Sequence, residues 1–313
     1  MSASNGLSAS ASGYRQLAGG LTVTRLGLGS MQLPGPGVWG PPPDRDRALS
    51  VLREALRRGV THIDTSAVYG PQVANQLIHD ALHPYPPDVV IATKVGVTRD
   101  HNRGFAPAAR PGQLRDQVEA NLEQLQLEQL DLVYLRVGGD GLLAPDPTPF
   151  ADSFGALVDL QRRGIIRHLG LSGCTAEQLA QARALAPVVA VQNRYHLLDR
   201  SSAAVLAACE QHGIAFVAYF PLAAGMLNPD LDDTPLPPGM GLSRPQRRTL
   251  DEIAGRHGAT RPQLALAWLL HHSGAILAIP GTSSVAHLHQ NIAAADLRLT
   301  SEDVTTLDAL SAA

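Results

Sequence analysis

Short apolar runs alternate with helix-period segments eight times along this chain, and that alternation restricts the fold more than any other feature. The runs fall near residues 24–30, 61–65, 89–94, 131–135, 166–172, 189–192, 215–219 and 275–279. The helical segments fall near 44–58, 71–82, 112–126, 150–163, 175–184, 202–212, 245–257 with 261–271, and 285–294. In the first helical segment Asp44 stands as N-cap, Ala48, Val51, Leu52, Ala55 and Leu56 repeat at i, i+3 and i+4, and Gly59 ends the pattern. Its closing signal recurs: Arg57-Arg58-Gly59, Arg162-Arg163-Gly164 and Gln211-His212-Gly213 each precede an apolar run. Basic groups favour a helix C-terminus and glycine supplies the left-handed cap, so the repetition has a physical cause. Thr175 and Gln178 form a capping box for the fifth helix.

Eight strand–helix pairs predict an α/β fold of the (β/α)8 TIM-barrel type, with a doubly wound open sheet as the alternative. The barrel is expected to occupy residues 14–313 as one domain, entered through an N-terminal strand or hairpin. Residues 1–13, rich in Ser, Ala and Gly, are expected to form a disordered tail. In such barrels function gathers at the C-terminal strand ends. Segments 97–110, 137–149 and 222–244 follow strands three, four and seven and so belong to that face. Pro145, Pro147 and Pro149 in one, and Pro235, Pro237, Pro238, Gly239 and Gly241 in another, suit ordered covers rather than linkers.

Composition narrows the function. With 25 basic and 28 acidic residues the net charge is -3, without the basic excess of a nucleic-acid binder. Cys174 and Cys209 are too few for a disulfide framework, which points to a reducing, cytoplasmic setting. No apolar run approaches the roughly 20 residues that span a bilayer, and the start Met1-Ser2-Ala3-Ser4-Asn5-Gly6 has no signal-peptide character.

Three apolar runs end on polar residues that do not belong in a core. Val60-Thr-His-Ile-Asp64 leads into Thr65-Ser-Ala-Val-Tyr69-Gly, Val89-Val-Ile-Ala-Thr stops at Lys94, and Leu130-Asp-Leu-Val-Tyr-Leu stops at Arg136. Singly, Asp64 could cap a turn, Tyr69 could be packing and Lys94 could be surface. Converging on one barrel mouth, they read as a relay. A phenol, whose ordinary pKa is about 10, serves as an acid if an ammonium stabilises the phenolate. A buried ammonium in turn needs a counter-ion, and Asp64 fits that part. Such a set can protonate a carbonyl oxygen while hydride reaches its carbon.

At these residues the chain resembles the aldo-keto reductases. The matching stretches are Gly59-Val-Thr-His-Ile-Asp64-Thr-Ser-Ala-Val-Tyr69-Gly, Ala92-Thr-Lys94, Leu130-Asp-Leu-Val-Tyr-Leu135, Gly170-Leu-Ser172, Val191-Gln-Asn193 and Ile279-Pro-Gly281. Within the family it most resembles bacterial pyridoxal reductase-like members, through Gly35-Pro-Gly-Val-Trp39-Gly-Pro-Pro, Tyr69-Gly-Pro71, Leu135-Arg-Val137 and Ile279-Pro-Gly-Thr-Ser-Ser-Val-Ala-His287. The resemblance implies an NADPH-dependent aldehyde or ketone reductase in which Tyr69 donates the proton, Lys94 favours the phenolate and Asp64 supports Lys94. It implies a small-molecule carbonyl partner, with pyridoxal a specific candidate; a natural-product ketone is an equal possibility, because the substrate loops do not identify their ligand. Trp39, Tyr134, Arg136 and residues 97–110 are expected to shape the pocket.

One departure stands in the catalytic set: most members of the family carry histidine at the position of Arg136. The expectation is that Arg136 orients the carbonyl oxygen or an anionic substrate group and helps Lys94; the alternative is that it turns away and pairs with Asp131 or Asp140. On the cofactor side the resemblance implies Ser172 and Gln192 on the nicotinamide carboxamide, Tyr219 stacked on the ring, and Ser30 and Met31 beside them. The family's usual Ser-Asn pair is Ser172-Gly173 here, so one amide contact is missing; Asn193 either substitutes for it or points into the barrel wall. Phe220-Pro221-Leu222-Ala-Ala-Gly225 corresponds to the loop across the pyrophosphate. Gly281, Ser283, His287, Gln290 and Asn291 correspond to the 2'-phosphate site at a helix N-terminus, where His287 alone is basic, so NADPH is expected over NADH.

Two rivals come from other classes. His62-x-Asp64 puts two potential metal ligands on one side of a strand, as a metal-dependent barrel hydrolase would need. The later strand ends offer Ser172, Gln192 and Tyr219, which are poor zinc ligands, so His62 is expected to be a satisfied core residue. A reductase-like barrel that binds NADPH and regulates a partner, without turnover, is the other.

Overall fold

Parallel strands in chain order curl until the last meets the first. The computed structural model describes residues 6–18, 20–229 and 241–310. An antiparallel hairpin, β1 (Tyr14–Gln16) and β2 (Thr22–Thr24), comes first. The barrel begins with β3 (Leu28–Gly29), followed by α1 (Arg45–Arg57), β4 (His62–Asp64), α2 (Val73–Leu82) and β5 (Val90–Val95). A second hairpin, β6 (Val97–Arg99) and β7 (Phe105–Pro107), precedes α3 (Pro111–Leu125). Then come β8 (Leu130–Arg136), α4 (Phe150–Arg162), β9 (Ile166–Ser172), α5 (Ala176–Leu185), β10 (Val188–Arg194), α6 (Ala203–His212) and β11 (Ala215–Tyr219). The chain finishes with α7 (Arg244–Arg256), α8 (Arg261–His272), β12 (Ile276–Ala278), α9 (Val285–Ala293) and α10 (Ser301–Ala309). The eight-stranded sheet runs β12-β11-β10-β9-β8-β5-β4-β3. Parallel bridges Leu26–Ala278 and Gly29–Gly281 close it.

The local signals act as expected. Asp44 accepts from the Arg47 N–H, Thr175 and Gln178 form their reciprocal box, and Gly59, Gly164 and Gly213 all take left-handed φ. Among the described residues no helix is long and apolar enough to cross a membrane. Of the prolines and glycines assigned to the cover after β11, Pro235, Pro237, Pro238 and Gly239 lie outside the described residues.

Side chains alternate across each strand, and here that alternation sorts chemistry. Ile63, Ile91, Val133, Leu135, Leu169, Leu171, Phe216 and Ala218 face outward into the core shared with the helices. Val90, Ala92, Leu132, Tyr134, Ala190, Ala215, Val217 and Leu277 fill the barrel interior, where Leu17, Leu21 and Val23 of the first hairpin join them. Thr24 N–H donates to Thr61 Oγ1 at 2.9 Å, which ties that hairpin to the start of β4 and closes the N-terminal end. The next inward positions toward the other end are Asp64, Lys94, Arg136, Ser172, Gln192 and Tyr219. An apolar plug thus carries a polar rim.

Three expectations need correction. Residues 6–13 are not a disordered tail: Ala9 is fully buried in a 3-10 turn over Ala9–Ser12, and the Ala9 N–H donates to the Arg58 carbonyl at 2.7 Å. The same small side chains that suggest disorder let the chain lie close against the end of α1. Residues 1–5 of that expected tail lie outside the described residues. Tyr134 does not line the mouth but lies fully buried inside the barrel. The expected strand over 24–30 is split between β2 and β3.

Tyr134 is accommodated by a glycine across the sheet. A Cβ built on Gly170 would stand 2.5 Å from the Tyr134 ring and 2.7 Å from the Ala190 carbonyl oxygen. Gly170→Ala is expected to destabilise the protein by about 1–3 kcal/mol through overpacking, read as a lower urea midpoint at unchanged slope. An unchanged midpoint would mean that the barrel interior has slack.

Candidate active site

Lys94 extends from the top of β5 to the top of β4. Its Nζ lies 2.5 Å from Asp64 Oδ1 and donates to the Thr65 carbonyl at 3.0 Å. The other Asp64 oxygen accepts from Gln192 Nε2 at 2.6 Å. Asp64 and Lys94 are 3% and 7% exposed, so each charge depends on the other. Burial works against the Lys94 ammonium, but Asp64 and then Tyr69 more than offset it, and the Lys94 pKa is raised. The lysine is a fixed cation at neutral pH.

Tyr69 belongs to the turn between β4 and α2, with its ring centroid 5.2 Å from Lys94 Nζ. The expected trio of Asp64, Tyr69 and Lys94 therefore does come together. The turn is held from two sides. Gly70 N–H donates to the Val38 carbonyl at 3.2 Å, and Gly40 N–H donates to the Gly70 carbonyl at 2.8 Å. Arg99 on β6 donates to the carbonyls of Val68 at 3.0 Å, Val38 at 2.9 Å and Arg103 at 2.7 Å. Its guanidinium also lies 4.0 Å from the Phe105 ring centroid, and Arg103 lies 5.0 Å from that of Trp39. Sequence reading gave segment 97–110 a pocket role but did not single out Arg99. Arg99→Met is expected to lower kcat by on the order of tenfold to a hundredfold, since small misplacements of an acid cost that much, with the KM for cofactor unchanged. Wild-type kcat in that variant would remove the clasp.

His62 occupies the layer below Asp64. Burial pushes its pKa down to about 4; Asp64 opposes this and Lys94 adds to it. It is a core histidine as expected, but among the described residues neither ring nitrogen has a hydrogen-bond partner, so it is not the satisfied one expected. Both Asp64 oxygens are already engaged by Lys94 and Gln192.

Arg136 adopts the alternative arrangement. Its Nη2 lies 2.6 Å from Asp140 Oδ2, its Nη1 donates to Ser172 Oγ at 3.0 Å, and its guanidinium lies 5.4 Å from the Tyr219 ring centroid. These contacts are on the side where Ser172 and Tyr219 stand, not on the Tyr69–Lys94 side. Asp140 Oδ2 also accepts from the Tyr219 hydroxyl at 2.7 Å. Burial opposes the Asp140 charge, but Arg136, Tyr219 and the N–H groups of Leu142 and Leu143 outweigh it and lower its pKa. Burial pushes Tyr219 up to about 12, so its hydroxyl stays a donor. Asn193 does not replace the missing amide. It points into the wall, where Oδ1 accepts from the N–H groups of Gly173 and Cys174 and Nδ2 donates to the Cys174 carbonyl.

The remaining expected residues surround the same mouth. Ser30, directly after β3, donates its hydroxyl to Thr65 Oγ1 at 2.9 Å in a buried chain that continues to Asn75 and Asn121. Met31 beside it is partly exposed. After β11 the backbone takes left-handed φ at Phe220, Ala223, Ala224 and Gly225, with Pro221 and Leu222 between. Left-handed conformations are uncommon for residues with a side chain; here they fold a tight turn in which the N–H groups of Ala223, Gly225 and Met226 donate to the carbonyls of Phe220, Leu222 and Ala223. Gly281 pairs with Gly29 at the barrel seam. Ser284 caps α9, Ser283 and His287 are exposed there, and Asn291 is buried. Hydroxyl and amide groups, an aromatic face and a helix N-terminus suit a carboxamide, a planar ring and a phosphate, so the donor set fits a nicotinamide dinucleotide.

The Aldo/keto reductase family model matches residues 25–312. Pyridoxine 4-dehydrogenase of Escherichia coli K12 is 47% identical over 291 residues, covering 93% of this chain and 96% of the relative. Glycerol dehydrogenase from Gluconobacter oxydans superposes with a TM-score of 0.82 at 26% identity, over 96% of this chain and 95% of the other. An aldo/keto reductase from Klebsiella pneumoniae, solved with NADP and acetate, superposes with a TM-score of 0.75 at 27% identity, over 95% of each chain. A match across nearly the whole barrel, with the Asp64–Lys94 pair and Tyr69 assembled at its mouth, places this chain in the aldo/keto reductase family.

Proposed function

We propose that the protein reduces an aldehyde or ketone to the alcohol with NADPH, and that pyridoxal is its leading substrate. The observation behind this reading is the buried Lys94–Asp64 ion pair beside Tyr69, a charged device with no structural need at a barrel mouth. When bound, NADPH supplies the hydride that reaches the carbonyl carbon. Tyr69 gives its hydroxyl proton to the carbonyl oxygen, and the Lys94 ammonium stabilises the phenolate left behind. Asp64 keeps Lys94 charged and in place, and Gln192 holds the second carboxylate oxygen. Each of these groups is fixed before the reaction, so little reorganisation is needed as charge develops.

For the cofactor, Ser172 and Gln192 would hold the carboxamide and Tyr219 would stack on the ring, with Ser30 and Met31 beside them. The turn with Pro221, Leu222 and Gly225 would cover the pyrophosphate. Gly281, Ser283, His287 and Asn291 would take the 2'-phosphate at the start of α9. Support for pyridoxal comes from the 47% identity to an enzyme named for dehydrogenating pyridoxine, the alcohol that pyridoxal reduction yields. Support for NADPH comes from family members solved with NADP and with NADPH.

The deciding experiment is a panel of carbonyl compounds that includes pyridoxal, each run with NADPH and with NADH. Pyridoxal is expected among the best substrates, with NADPH well ahead in kcat/KM. Tight NADPH binding without reduction of any compound would favour a regulatory barrel, and equal kcat/KM for the two cofactors would remove the 2'-phosphate assignment.

A further inference from the structure

Gly173 and the Arg136–Asp140 pair crowd one another at the mouth. Gly173 follows Ser172 with φ +68, and a Cβ built on it would stand 3.0 Å from Asp140 Oδ2 and 3.2 Å from Arg136 Nη1. A side chain at 173 would therefore press on the Arg136–Asp140 pair, whose side-chain ends would have to give by a few tenths of an ångström. The close approach is prepared on both sides. Arg136 and Ser172 are register partners on β8 and β9. Gly138, Gly139 and Gly141 all take left-handed φ, so the loop after β8 turns back and brings Asp140 over Arg136. Gly139 N–H closes that turn by donating to the Leu143 carbonyl at 2.7 Å.

Donors and acceptors around the pair limit what it can do. Guanidinium is donor-only, and a serine hydroxyl has one O–H and two lone pairs. With Arg136 Nη1 donating to Ser172 Oγ, the Ser172 O–H must donate elsewhere. Asp140 is acceptor-only: Oδ2 takes Arg136 and the Tyr219 hydroxyl, and Oδ1 takes the N–H groups of Leu142 and Leu143. Asp140 is thus saturated within the protein. It fixes the guanidinium on one side and the phenol ring on the other, and those are the groups that would meet the nicotinamide end of the cofactor.

We propose that Arg136 and Asp140 are positioning residues for the nicotinamide carboxamide, acting through Ser172 and Tyr219 in place of the side chain that Gly173 lacks. Arg136 is then not the successor of a substrate-orienting histidine. It belongs to the cofactor side and directs the Ser172 O–H toward the carboxamide oxygen. The assignment rests on NADPH being the cofactor.

The test compares two ligands on intact protein by titration calorimetry. One is NADPH. The other is 2'-phospho-ADP-ribose, which has the phosphates and adenosine but no nicotinamide. For Arg136→Met the NADPH Kd is expected to rise about tenfold, the scale of one charge-assisted hydrogen bond, while the 2'-phospho-ADP-ribose Kd stays within about twofold of wild type. Asp140→Asn, which keeps the shape, is expected to change the two constants in the same unequal way, guarding against a folding artefact in Arg136→Met. Gly173→Asn alone is expected to weaken NADPH, and Arg136→Met together with Gly173→Asn to recover at least part of that loss. Equal weakening of both ligands would mean general damage and overturn the assignment. An unchanged NADPH Kd with a raised KM for the carbonyl would overturn it by returning Arg136 to the substrate side. Wild-type protein that binds 2'-phospho-ADP-ribose and NADPH equally would also overturn it. Wild-type protein that binds neither ligand would overturn the functional reading itself and the assignment with it.

Discussion

Tyr69→Phe is expected to lower carbonyl reduction by about 10²–10⁴-fold, the range lost with a positioned general acid, while NADPH still binds. The substitution removes one oxygen and keeps the ring, whose surroundings are set by the turn from Ser66 to Gly70. That turn is held by backbone bonds to the Val38–Gly40 segment and by Arg99, none of which uses the Tyr69 hydroxyl. Lys94 keeps Asp64 and the Thr65 carbonyl. The fold and the cofactor site should therefore survive, and only the proton is lost. Turnover within about threefold of wild type would assign the acid to another group.

The second large effect concerns stability as well as rate. Lys94→Met strips the Asp64 carboxyl group, 3% exposed, of its counter-ion and leaves it the Gln192 amide. Breaking one side of a buried pair costs about 3–5 kcal/mol, whereas removing both sides together is often far milder. Lys94→Met should unfold at much lower urea than wild type, and Asp64→Asn with Lys94→Met should recover most of that loss without recovering activity. Additive losses in the double variant would show that the two side chains do not act as a unit. The pH dependence has a definite sign. The Lys94 pKa is raised on folding, so its contribution is complete below the ordinary lysine value and is lost only as pH rises through the higher folded value. Raising the pH from neutrality toward the ordinary lysine value should leave this contribution intact.

Much of the fold and the relay was readable because each rests on a local rule. Caps such as Asp44 and Thr175 and the three glycine stops mark helix ends by chemistry that acts within a few residues. Asp64, Lys94 and Arg136 stood out because a polar residue ending an apolar run has no core role, and strand alternation points all three inward. What sequence reading missed depends on chain reversals that have no period. Arg99 reaches Val38 and Val68 only because β6 and β7 fold back around Asp100, whose carboxylate accepts the N–H groups of Asn102 and Gly104. Asp140 was foreseen as one partner for Arg136, but its bond to Tyr219, 79 residues away, follows from barrel closure. Gly173 read as a missing contact, whereas its absent side chain is the space that Arg136 and Asp140 approach. Composition misjudged residues 6–13 because alanine and serine can seat against a helix end as well as populate a tail.

Transfer of isotope tests the proposed reaction most directly. The protein is incubated with pyridoxal and NADPH deuterated at the position that leaves as hydride, and the product alcohol is read by mass spectrometry and NMR. The expected result is pyridoxine with deuterium on its new carbinol carbon, and almost none from Tyr69→Phe over the same time. Wild-type protein that binds the deuterated cofactor yet moves no deuterium to pyridoxal or any other carbonyl of the panel would contradict hydride transfer at this site.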